Sequence, residues 1–107
     1  MIKSYVHSEI KNLFWILFVQ SRGANNRIRI MSVLRNIPKN RYQLSVELDL
    51  DYKAIQHHLK VLEKNNLVIK TGNRYGLTFY VSVLFENNEI VFDEIIYRLK
   101  NREIKFG

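Results

Sequence analysis

Three lysines, a glutamine and a histidine fall on one side of a single stretch, DYKAIQHHLKVLEKNNLV, residues 51–68. At the angular step of an α-helix, Ile55, Leu59 and Leu62 form an apolar stripe with His58 on its flank. Lys53, His57, Lys60 and Lys64 fall nearly opposite, and Gln56 sits at the margin. Ammonium groups, a primary amide and an imidazole together supply positive charge and directed hydrogen-bond donors. That chemistry suits a polyanion. A merely solvated face usually mixes acids with bases, whereas here Glu63 lies to the side.

The whole chain carries the same sign. Seventeen Lys and Arg stand against ten Asp and Glu, a net +7. Residues 1–85 hold 13 bases and 5 acids, and residues 86–107 hold 4 bases and 5 acids, so the positive field belongs to the first part alone. Such a field attracts nucleic acid or an anionic membrane surface, although it also serves solubility. A membrane is the weaker partner: the apolar run LFWILFV (13–19) is far too short to span a bilayer, and no basic face accompanies it. It also lacks a small-residue cleavage site, so the expectation is a cytoplasmic protein. With no cysteine, thiolate metal sites, disulfides and cysteine nucleophiles are excluded.

A length of 107 residues predicts a single domain. A first helix is predicted over about 6–21 and a second over 25–36, with Asn25 or Asn26 as its cap, ended by the lone Pro38. A short third helix follows over 41–48. LDLD (48–51) turns the chain, and the carboxylate of Asp51 is expected to cap the helix of the opening stretch, about 52–65. LVIK (67–70) and LTFYVSV (77–83), joined by TGNRYG, read as a hairpin, and a last helix is predicted over 87–102. The fold class is therefore mainly α with a small β-hairpin: a winged helix-turn-helix with extra N- and C-terminal helices.

The run SRGANNRIRIMSVLRNIPKNRYQLSVELDLDYKAIQHHLKVLEKNNLVIKTGNRYGLTFYVS, residues 21–82, resembles the archaeal ArsR-like winged helix-turn-helix regulators. Its most specific parts are SRG followed by R-I-x-I, and QL-x-x-x-L leading to DYKA, HHL and VLEKN. The resemblance implies transcription regulation by dimers on operator DNA. Soft-metal sensing is not implied, because members that do it use cysteine pairs. Outside 21–82 the match is unspecific, and the outer helices rest on periodicity.

An α-helix fits the major groove of DNA, where Gln bonds adenine and Lys reaches guanine. Gln56 and Lys53 are thus the base-reading candidates. Tyr52 and His57 are candidates for bases or phosphates, and Lys60 and Lys64 for phosphates, which position a protein without informing sequence. In the wing, about 70–77, Lys70, Asn73, Arg74 and Tyr75 surround two glycines, with Arg74 the candidate for the minor groove or a phosphate. An ordinary basic turn explains the same residues. Arg22 and Arg27 ahead of and within the second helix are further phosphate candidates, with an internal salt bridge for Arg27 as the alternative.

Adjacent His57 and His58 point about 100° apart on a helix and do not share an ion well, so no metal and no cofactor is expected. No phosphate-cradling glycine loop, HExxH or nucleophile elbow is present, and the expectation is a non-enzyme. The outer helices, 6–20 and 87–102, have more apolar surface than one core needs. They are expected to build a homodimer interface around the 21–85 core, anchored by Phe14, Trp15, Phe18, Phe92, Ile95, Ile96 and Leu99, with packing on their own domain as the alternative. Double-stranded DNA is the expected partner, and no pocket for a small-molecule effector is legible. Two other functions use the same features: a nucleoid-type protein that coats DNA with little sequence preference, and a winged helix used as a protein–protein module.

Overall fold

A computed structural model describes the backbone of residues 2–73 and 75–107 and the side chains of 8–73 and 75–107. The elements in chain order are α1 (Ile2–Trp15), a π-helical segment (Ile16–Gln20), α2 (Ala24–Leu34), β1 (Lys39–Asn40), α3 (Arg41–Leu48), α4 (Tyr52–Lys64), β2 (Val68–Asn73), β3 (Gly76–Val81), α5 (Val83–Glu86) and α6 (Glu89–Lys100). The strands form one antiparallel sheet in the order β1-β3-β2. This is a winged helix-turn-helix. The chain gathers into two compact units, residues 26–87 and residues 1–25 with 88–107.

In the 26–87 unit, α3 and α4 are the two helices of the motif, and several local contacts set their angle. Asn40 and Gln43 form a reciprocal capping box at the start of α3, with Gln43 N–H donating to Asn40 Oδ1 at 2.7 Å and Asn40 N–H donating to Gln43 Oε1 at 2.9 Å. At the other end Asp49 adopts φ 52°, a left-handed conformation that Asp tolerates. Ser45 Oγ donates to Leu50 O at 2.6 Å, and Arg29 reaches across from α2 to donate to Leu48 O at 2.6 Å. The turn feeding α4 is thus bonded on both sides. Asp51 occupies the N-cap of α4 but its side chain makes no capping bond, contrary to expectation.

Helix α4 buries Ile55, His58, Leu59 and Leu62, the stripe and flank predicted from spacing. Each such apolar side chain contributes about 1.5–3 kcal/mol by leaving water. Asn66, at φ 63°, ends the helix: Leu67 N–H donates to Leu62 O and Asn66 N–H to Glu63 O, both at 3.0 Å, the two bonds of a Schellman motif. The hairpin then pairs Val68 with Val81 through to Asn73 with Gly76. Gly72 holds φ 120°, and a Cβ there would lie 2.1 Å from Gly76 O, so only glycine fits. β1, two residues opposite Phe79 and Thr78, and the one-turn α5, capped by Ser82 Oγ accepting from Phe85 N–H, were not expected from the sequence.

In the other unit, Phe14, Phe18 and Phe92 stack edge to face, with ring centroids 5.3 and 5.0 Å apart. The first helix widens into a π turn at Ile16 and closes on Ser21, whose hydroxyl donates to Ile16 O at 2.6 Å. This geometry corrects the expected dimer anchors. Phe14, Phe18, Phe92 and Ile95 lie inside the protomer and are not available to a second subunit. Trp15, Ile96 and Leu99 are half-buried, while among the described residues of these elements the large apolar side chains that reach solvent are Ile16, Ile90 and Tyr97. The second helix starts at Ala24, so Asn25 and Asn26 lie within its first turn rather than at its cap.

Candidate nucleic-acid interface

The outward side of α4 is continuous. Tyr52, Lys53, Gln56, His57, Lys60 and Lys64 are all exposed, on the side of the helix away from Ile55, Leu59 and Leu62. The only acidic residue of the helix, Glu63, is turned to the hairpin, where its Oε2 lies 3.3 Å from Lys70 Nζ. The one carboxylate of α4 is thus drawn off the cationic row, and the Lys70 charge is partly neutralised. Lys53, Gln56, His57, Lys60 and the Glu63–Lys70 pair line one groove between α4 and the hairpin, together with Phe79. A helix and a hairpin, each bonded through its own backbone, thus set these residues along one surface.

Asn73 Oδ1 accepts from Tyr75 N–H at 2.9 Å, and Tyr75 projects into solvent. Arg74, a candidate for the minor groove, lies outside the described residues. Arg22 is exposed ahead of α2.

Arg27 is placed otherwise than as a phosphate ligand. It is 3 % exposed, and its Nη1 lies 3.4 Å from Nδ1 of the buried His58. Burial lowers its pKa from the ordinary arginine value. Burial first, then the Arg27 charge and then His57 push the His58 imidazole down to about 4. A neutral His58 can offer Nδ1 to the guanidinium, so the pair braces α2 against the inner side of α4. Among the described residues, no buried side-chain nitrogen or oxygen lacks a hydrogen-bond partner.

Two contributors escaped the sequence reading. Arg41 opens α3, lines the groove and sits 5.9 Å above the Phe79 ring. Tyr42 beside it is exposed. Their signal was the RY pair just inside an Asn-x-x-Gln capping box, a helix start facing the same side as the start of α4. Among the described residues no group of three or more His, Asp or Glu could hold a metal ion, and no helix is long and apolar enough to cross a membrane.

Residues 25–70 match the model of the family described as bacterial regulatory protein, arsR family. No curated protein sequence matches the chain. Solved structures resemble it over most of its length. The transcriptional regulator HlyU of Vibrio vulnificus shares 16 % identity at a TM-score of 0.64, covering 92 % of this chain and 93 % of that one. HlyU of Vibrio cholerae shares 22 % at 0.62, covering 86 % and 94 %. FabT of Streptococcus pneumoniae, solved in complex with DNA, shares 16 % at 0.59, covering 94 % and 78 %. At these identities the likeness is one of fold. Residues 25–70 are thus similar to the arsR-family helix-turn-helix, and they lie within a winged helix fold.

Proposed function

We propose that this chain is a DNA-binding transcriptional regulator and not an enzyme, acting in the cytoplasm as a homodimer. Helix α4 enters the major groove, and the β2–β3 hairpin lies on the minor groove or backbone. The observation that carries this is the unbroken outward row of Tyr52, Lys53, Gln56, His57, Lys60 and Lys64, with Glu63 turned aside to Lys70. In this reading Gln56 and Lys53 meet base edges, Lys60 and Lys64 meet phosphates, and Lys70, Asn73 and Tyr75 contact the strand beside the wing. The arsR-family match and the fold shared with FabT, itself seen with DNA, support it. The archaeal branch of the family, suggested by the DYK and HHL spacing, belongs to the same proposal.

A dimer places two copies of α4 about one turn of DNA apart, roughly 34 Å. The subunit contact falls to the outward sides of α1, its π segment and α6, where Ile16, Ile90 and Tyr97 are exposed and Trp15, Ile96 and Leu99 half-buried. Anisotropy titration of a labelled duplex across a salt series tests the DNA claim. The apparent affinity falls steeply with salt, and Lys60→Gln with Lys64→Gln lowers the log–log slope by about 1.8. Binding that ignores both salt and the double variant overturns the reading in favour of a protein–protein module. Light scattering at micromolar concentration tests the dimer, and a monomer removes that part.

A further inference from the structure

Three tyrosines of the 26–87 unit stand out into solvent around one cleft. Tyr42, at the start of α3, is 69 % exposed; Tyr52, at the start of α4, 43 %; and Tyr75, at the hairpin tip, 83 %. They border the cleft together with Arg41 and Asn73. The fold does not use these rings as core: α3 buries Leu44 and Leu48, and α4 buries Ile55, Leu59 and Leu62. A phenol pairs a large apolar body with a polar tip, so a group of them facing water is suited to a partner surface that is partly apolar and rich in acceptors. Arg41 and Leu77 line both this cleft and the groove between α4 and the hairpin, so the two are adjacent. The sign of the surroundings, Arg41 and Lys53, calls for an anionic occupant.

We propose that this cleft is a second seam of DNA contact, in which the hydroxyls of Tyr42, Tyr52 and Tyr75 donate to phosphate oxygens of a duplex strand while Arg41 supplies the local charge. The proposal rests on the DNA-binding reading above and extends it. Lysines respond to the density of negative charge, whereas neutral hydroxyls bond only where a phosphate oxygen lies at the right distance and angle. The tyrosine seam thus senses the shape of the backbone, and it contributes affinity without releasing counterions. It gives the interface a component of binding that salt does not weaken.

The test is a salt series on a duplex with the wild-type chain, the triple variant Tyr42→Phe, Tyr52→Phe, Tyr75→Phe, and Arg41→Gln. The triple variant binds about tenfold or more weaker at every salt concentration, with a log–log slope parallel to wild type. Arg41→Gln lowers the slope by about 0.9. A triple variant that binds like wild type, or that loses affinity by flattening the slope, overturns the proposal. Nitration of the wild-type chain with tetranitromethane gives a readout independent of variant folding. Duplex protects all three tyrosines, and undiminished reaction in the bound state contradicts the seam. If the wild-type chain shows no salt-dependent duplex binding, the DNA reading itself fails; steep binding with inert tyrosines sinks the seam alone.

Discussion

The Nη1 of Arg27 lies 3.4 Å from the Nδ1 of His58, both side chains buried, so the inner side of α4 is held by a cation resting on a neutral imidazole. The folded state keeps His58 unprotonated, with a pKa lowered to about 4 from the ordinary 6.5. The unfolded chain therefore takes up a proton first as pH falls. Stability contributed by the neutral ring is fully present above about pH 6.5 and is lost progressively towards pH 4. The shift corresponds to about 3 kcal/mol at most. Urea midpoints measured at pH 7 and pH 4.5 should differ by a substantial part of that amount. In His58→Gln, which keeps an acceptor but cannot titrate, the drop should shrink markedly. An equal drop in both proteins would place the acid sensitivity elsewhere.

The wing depends on Gly72, whose φ of 120° and whose approach to Gly76 O leave no room for a Cβ. Gly72→Ala should destabilise the chain by about 1–3 kcal/mol, the cost of forcing a side chain into that backbone conformation. It should also weaken duplex binding more than its effect on melting temperature explains, because the tip carrying Asn73 and Tyr75 moves. Circular dichroism melts and anisotropy titrations on the same samples separate the two effects.

Much of this arrangement was legible beforehand, for reasons that differ by residue. Helix α3 runs from Arg41 to Leu48 as its Leu44 and Leu48 spacing predicted, and α4 buries the stripe that its period marked. Both signals come from local pattern, which survives any tertiary context. For Arg27 a phosphate contact and an internal role both stayed open, because nothing in a sequence marks an arginine that a fold will bury against a histidine far along the chain. Asp51 has the right residue type and position for a cap, yet whether its side chain turns inward depends on a rotamer that pattern does not encode. The outer helices show the same limit. Periodicity told that Phe14, Phe18 and Phe92 must be covered, but not that they would cover one another. Two-residue β1 and one-turn α5 are too short to leave any period at all.

Glu63 is held 3.3 Å from Lys70, with both side chains partly open to solvent. Such a pair contributes little to folding, so its removal is expected to change stability by less than about 1 kcal/mol. Its effect on binding should be larger. Glu63→Gln removes a carboxylate from the groove and releases the full charge of Lys70. Non-specific duplex affinity should rise, and the salt slope should steepen by about 0.9 if one further phosphate contact forms. A variant that binds no more tightly at low salt would show that Lys70 is not on the path of the strand.

Whether α4 reads base edges is decided by selection of bound duplexes from a random pool at two salt concentrations, run in parallel for the wild-type chain and Gln56→Ala. The wild type should enrich one motif at both concentrations. In the variant, one position of that motif should lose its preference, with cognate affinity lower by about 1–3 kcal/mol and non-specific affinity unchanged. No enriched motif for the wild type, or an identical motif at full strength from Gln56→Ala, would contradict it.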